Sequence, residues 1–159
     1  MTIFAAAGAK LYIGSVIETD ALLTEASFTD EVWVEVKELK GLGTFGSSPA
    51  EIDRTVLSSP VMQRMKGLTD NGTFETVCNL DTSDPGQLAL YAALQADTDY
   101  AFRILFPDAP TGGTGSERLF GATVGAVTET VDEVNNLTLL NGSLWVNSNF
   151  VRVAAVEAV

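Results

Sequence analysis

The sequence predicts a mainly β fold, a β-sandwich or partial barrel with one flanking α-helix and a long inter-strand loop. Three observations carry this. Apolar and polar residues alternate over 31–38, 73–80 and 100–106, the period of half-buried strands. Only one segment, 84–95, combines helix capping with an apolar stripe. Gly-, Asn- and Ser-rich turn signals separate the alternating segments. At 159 residues the chain is most simply one domain, 1–159, with a long loop at 39–66 and a flexible tip at 109–116.

Taken in order, 11–17 is a short apolar strand interrupted by Gly14, and 17–30 is a solvated stretch carrying Glu18, Asp20, Glu25 and Asp30. The segment EVWVEVKE at 31–38 puts Val32, Val34 and Val36 on one face and Trp33, Glu35 and Lys37 on the other. Residues 39–66 are the long connection, with a strand fragment near 50–55 and a short helical turn near 60–65. It carries Arg54, Arg64 and Lys66, three of only nine basic residues, which marks it for pairing with an acidic neighbouring surface.

Asp70-Asn71-Gly72 is a turn, since Asn and Gly tolerate positive φ. The strand at 73–80 sets Phe74, Thr76, Cys78 and Leu80 against Thr73, Glu75, Val77 and Asn79. Asp84 then caps a helix with Pro85 in its first turn and Gln87 at the capping-box position. Its stripe is Leu88, Tyr91, Ala92 and Gln95, widened by Leu90 and Leu94. The strand at 100–106 sets Tyr100, Phe102, Ile104 and Phe106 against Ala101, Arg103 and Leu105, and Pro107 ends it. APTGGTGS at 109–116 reads as the flexible tip. Residues 119–127 form a strand of small side chains that lets another backbone approach closely. An acidic turn at 131–136 and strands at 137–146 and 150–156 complete the chain.

Composition narrows the function. With 9 basic and 21 acidic residues the net charge is −12, which argues against tight binding along nucleic-acid phosphates. The single cysteine, Cys78, excludes an intramolecular disulfide and reads as a small buried hydrophobe. The N-terminus lacks the pattern of a signal peptide, and no apolar run approaches the ~20 residues of a membrane helix. The expectation is a soluble protein made in a reducing cytoplasm.

No catalytic constellation emerges. The absence of histidine removes Ser-His-Asp catalysis and histidine-built zinc sites. GLGTFG at 41–46 has the spacing of a dinucleotide fingerprint, but no helix start or βαβ pattern surrounds it. Asp81, Asp84, Asp97 and Asp99 sit where carboxylates cap helices and solvate turns. The reading is a non-enzyme with no cofactor and no metal, a scaffold for assembly.

The order of elements resembles the major tail tube protein of siphovirus-type bacteriophages, those with long non-contractile tails, and of phage-like gene transfer agents. The carrying residues are EVWVEVKE at 31–38, EIDRTVL at 51–57, MKGLTDNGTF at 65–74, NLD at 79–81, the Pro-Gly-capped helix and FPD at 106–108, within residues 10–150. The resemblance implies a β-sandwich subunit that forms hexameric rings, with strands of neighbours joined into a closed barrel. The rings stack into a virion tail tube around a tape measure protein, bounded by tail terminator and distal tail proteins. After the tape leaves, DNA passes through the lumen without specific binding. No membrane is involved.

Two site expectations follow. Glu35 and Glu75 are expected to face the lumen, where acidic groups repel phosphates. Arg54, Arg64 and Lys66 are expected to contact the adjacent ring. The alternatives are a monomeric β-sandwich binding module, either a virion decoration or a carbohydrate-binding domain using Trp33 and Trp145, and a terminator or connector that forms one ring and stops.

Overall fold

A computed structural model describes residues 3–157. Ten strands, one α-helix and one 3-10 turn are present among them. They are β1 (Lys10–Val16), β2 (Val34–Val36), β3 (Leu39–Leu42), β4 (Ser48–Asp53), β5 (Arg64–Asp70), β6 (Thr73–Asn79), α1 (Pro85–Gln95), β7 (Tyr100–Leu105), β8 (Glu117–Thr130), β9 (Leu139–Val146) and β10 (Val151–Val153). The expected mainly β architecture with one helix is what the chain adopts.

Every strand pairing is antiparallel. The main sheet runs β2-β1-β7-β8-β9-β6-β3, with β10 also on β8. The 14-residue β8 is its pivot. Residues 117–122 of β8 pair with β7, and residues 122–130 pair with β9. The register on β9 then shifts between Val124 and Ala126, just past the residue where the partner changes. The sheet thus has two halves that share one core, a partial barrel with α1 lying against β1, β2 and β8.

The core draws on the five longest strands of the main sheet: Leu11 and Ile13 from β1, Phe74 and Cys78 from β6, Phe102 and Ile104 from β7, Phe120 and Val124 from β8, and Leu140 and Leu144 from β9. Phe120 is its hub, with ring centroids 5.6 Å from Phe102, 5.9 Å from Phe74 and 5.2 Å from Phe150. Burial pushes the Cys78 thiol up to about 11, and the nearby Asp84 charge adds to the shift, so it is an inert packing group.

Asp84 caps α1 as expected, its carboxylate accepting from the Gln87 amide at 3.3 Å. The same carboxylate accepts from the Lys37 amide at 2.9 Å, which ties the helix to the end of β2. The Gln87 side chain does not complete a capping box. It accepts from the Asp81 amide and donates to the Lys37 and Asn79 carbonyls. The buried stripe is therefore Gly86, Gln87, Leu90 and Ala93, whereas Leu88, Ala92 and Gln95 are exposed. Apolar residues nearly surround this helix, so periodicity could not fix its phase. The backbone bonds of Gln87 and the contact of Gly86 with β2 fix it instead. A Cβ at Gly86 would overlap the Glu35 carbonyl and lie 2.6 Å from the Val36 Cα.

Four other expectations change. The strand at 31–38 shrinks to β2, and Val32 is exposed. The solvated stretch at 17–30 contains a 3-10 turn (Glu25–Phe28) and helps build a second small core of Leu23, Phe28, Ala101 and Leu119, flanked by Trp33. Residues 39–66 are not a long loop: β3 joins the main sheet, and β4 and β5 pair as a hairpin without the expected helical turn at 60–65. The tip at 109–116 is tied down: Asp108 accepts from the Ser116 amide and hydroxyl, and Thr114 bridges to Val156.

Candidate assembly surfaces

Among the described residues no cluster of His, Cys, Asp and Glu could hold a metal ion, and no helix is long and apolar enough to cross a membrane. The carboxylates with lowered pKa have structural duties. Burial raises Asp99, but hydrogen bonds from Thr123, Asn147 and Thr19, at 2.6 to 2.8 Å, outweigh it and hold the carboxyl below its ordinary range. Asp81 and Asp53 are lowered by local bonds from Ser83 and Thr55. What remains for function is surface.

The first surface is the outward face of β6, β9 and the second half of β8. Alternation on β6 sends Phe74, Thr76 and Cys78 inward and Glu75 outward. Glu75 stands beside Ser143, and Val77 beside Asn141. With Ala126 and Thr128 they line a shallow cleft of about 220 Å³. Its neighbour Trp145 is half exposed, with its indole over Gly125. The face is thus mostly small and polar, with one carboxylate.

Glu35 lies elsewhere. It sits on β2 opposite Tyr12, which in turn faces Arg103. The Arg103 guanidinium rests 4.2 Å from the Tyr12 ring centroid and 5.2 Å from that of Trp33, and pairs with Glu117 at 3.4 Å. In the sheet order β2 and β6 are five strand spacings apart, about 24 Å along the sheet. The structure does not bring Glu35 and Glu75 onto one patch, nor Trp33 and Trp145. Trp33 stacks on Phe28 beneath the 17–33 segment, at 6.3 Å between centroids.

The second surface is the β4–β5 hairpin. A turn at Asp70-Asn71-Gly72 joins it to β6: Asp70 accepts from the Gly72 amide, and Gly72 takes a φ of 70°. The Asn71 side chain anchors the base by donating to the Ser148 carbonyl at 2.7 Å. Beyond that base the two strands pair only with each other, and nearly every residue is exposed. Ile52, Val56, Leu57, Val61, Met62, Met65 and Leu68 all stand in solvent. Arg54, Arg64 and Lys66 all lie on this hairpin: Arg64 and Lys66 stand opposite Asp53 and Glu51, and Arg54 follows the end of β4. Arg64 pairs with Glu51 at 2.6 Å, an exposed pair of small energetic weight.

A third surface lies at the opposite end of the same strands. The loop at 131–138 leaves β8 where β6 and β9 reach Asn79 and Leu139, whereas the hairpin leaves where they reach Thr73 and Trp145. Val131, Val134 and Leu137 are exposed there beside Asp132 and Glu133. The chain therefore exposes apolar groups at both ends of one sheet. Sequence periodicity missed the hairpin because SPAEID and RMKGLTD do not alternate. The usable signal was a connection too long and too apolar to remain unstructured.

No protein-family model matches the chain, and no characterised protein matches it by sequence. Solved structures do. The chain is similar to the SPP1 tail tube protein, with a TM-score of 0.67 at 14% identity, over 94% of this chain and 78% of that one. It is similar to a chain of the six-fold symmetrised anti-feeding prophage baseplate, with a TM-score of 0.66 at 9% identity, over 97% and 98%. It is also similar to a chain of the sheath/tube terminator of the extracellular contractile injection system PVC, with a TM-score of 0.67 at 9% identity, over 97% and 99%. The fold is that of tail tube proteins.

Proposed function

We propose that this chain is a structural subunit of a phage-type tail tube, assembling into hexameric rings that stack around a tape measure protein and later conduct DNA. The observation that carries the reading is the exposed apolar hairpin at one end of the sheet and the exposed apolar loop at the other, on a tail tube fold. An isolated domain gains nothing from either. Repetition of the contact between copies buries both. The six-fold symmetry of the anti-feeding prophage baseplate supports a six-membered ring.

In this reading the β6–β9–β8 face lines the lumen, with Glu75 as its carboxylate and small polar groups around it. Such a wall offers phosphates repulsion within a Debye length of ~8 Å and no lysine or arginine to pair with them. Arg54, Arg64 and Lys66 on the hairpin reach the adjacent ring. Terminator and distal tail proteins close the two ends, the protein resides in the virion tail after synthesis in the host cytoplasm, and no catalysis is involved. A siphovirus-type tail or a gene transfer agent is the setting.

The test is ejection from tails assembled with variant subunits. Glu75→Lys is expected to slow DNA release, and Glu35→Lys, five strands away, to leave it unchanged. Equal rates for wild type and Glu75→Lys would remove Glu75 from the lumen. The likeness to the sheath/tube terminator favours one second reading, a ring that closes and stops. Electron micrographs of single rings at every concentration, never tubes, would select it.

A further inference from the structure

We propose that Arg118 and Arg152 form a carboxylate-binding notch that receives the acidic loop around Asp132 and Glu133 of a second copy of this chain. The two arginines are direct cross-strand partners on β8 and β10. Like charges placed opposite each other in an antiparallel pair are destabilising, and they stand out in a chain of net charge −12. Among the described residues neither guanidinium has an ion-pair partner. The nearby Asp108 carboxylate is occupied by the amide and hydroxyl of Ser116. Arg118 donates to the Glu117 carbonyl at 2.9 Å and lies 5.0 Å from the Phe106 ring centroid, which fixes its fork in place. Burial, and then the facing Arg152 charge, lower the Arg118 pKa while Asp108 pulls it back. Asp108 is thus the one charge acting against the pair, at longer range than an ion pair, and both forks keep donors free for a carboxylate.

The notch is a cleft of about 420 Å³ lined by Ser116, Arg118, Arg152, Val153, Ala154 and Ala155. Two guanidinium groups above an apolar floor fit a ligand with carboxylates flanked by apolar side chains. The chain carries that pattern at Val131-Asp132-Glu133-Val134, where both valines are exposed. Notch and loop lie at opposite ends of β8, about 40 Å apart along the strand, so one molecule cannot join them. Two molecules can, head to tail, and the contact then repeats. Arginine matches carboxylates in a bidentate fork, so the pairing also fixes the angle between copies.

The inference rests on the tube reading for its biological meaning, but it is tested apart from it. The full-length variants Arg118→Glu/Arg152→Glu, Asp132→Arg/Glu133→Arg and their fourfold combination are compared with wild type by sedimentation, after circular dichroism confirms folding. Each double variant is expected to raise the concentration needed for assembly at least about tenfold, and the fourfold variant to restore it. Wild-type behaviour of the doubles, or a folded fourfold variant that stays defective, overturns the pairing. A second measurement needs no polymer. Full-length Arg152→Cys and Asp132→Cys chains are mixed and joined with a flexible bis-maleimide, which spans the distance the two replaced side chains would have bridged and which a direct disulfide could not. A mixed cross-linked dimer forming well above the level in either chain alone is expected, and its absence overturns the notch. A mixed dimer from a protein that never forms rings or tubes would leave the notch standing and remove the tube reading.

Discussion

The core-backed β6–β9–β8 sheet and the β4–β5 hairpin are both antiparallel, and both carry large apolar side chains. In the first, alternate residues such as Phe74, Cys78, Leu140 and Leu144 are almost fully buried. In the second, Ile52, Leu57, Met65 and Leu68 remain in water. The sheet satisfies its hydrophobic groups within the chain, and the hairpin leaves its own in solvent. In the proposed reading folding and assembly are thereby divided between two regions, and substitutions should separate them.

The largest effect on folding is expected at the hub. Phe120→Ala removes a ring that touches three others and should cost about 3–5 kcal/mol in urea denaturation. A smaller loss follows from Gly86→Ala, because the added methyl meets the β2 backbone; about 1–3 kcal/mol is expected. Asp84→Ala should cost about 1–2 kcal/mol, since it strips the helix cap and leaves the Lys37 amide without its acceptor. An unchanged midpoint for this variant would mean that the junction of α1 and β2 contributes little to folding.

The Asp99 network gives a modest pH dependence. Its folded pKa is depressed, so its stabilisation is present above the unfolded value near 4 and is lost as pH falls through the folded value. Thr123→Val should flatten the acid limb of a stability–pH curve, and an identical limb would assign acid sensitivity to other carboxylates. The smallest effect on folding belongs to the hairpin. Leu57→Asp should change stability by no more than about 0.5 kcal/mol yet abolish polymerisation. Comparable losses of both would mean that the hairpin serves the core after all.

Much of the fold was legible where one face is core and the other solvent. The faces of 73–80 and the cap at Asp84 follow from alternation and capping chemistry, and the structure has both. The phase of α1 was not legible, because an almost wholly apolar helix has no preferred stripe until Gln87 finds its backbone partners. The hairpin was hidden for the opposite reason: exposed on both faces, it has no alternation to read. The candidate surfaces are partly visible in the sequence. Arg54, Arg64 and Lys66 stand out by the scarcity of cations, whereas Arg118 and Arg152 are far apart in sequence and meet only through strand register.

Cryo-electron microscopy of the purified protein, concentrated and stepped through rising salt, tests the tube directly. Hollow tubes of stacked rings are expected, with the β6–β9–β8 face toward the lumen and the β4–β5 hairpin buried against the next ring. A protein that stays monomeric throughout, or a tube lined by another face with the hairpin left in solvent, would contradict it.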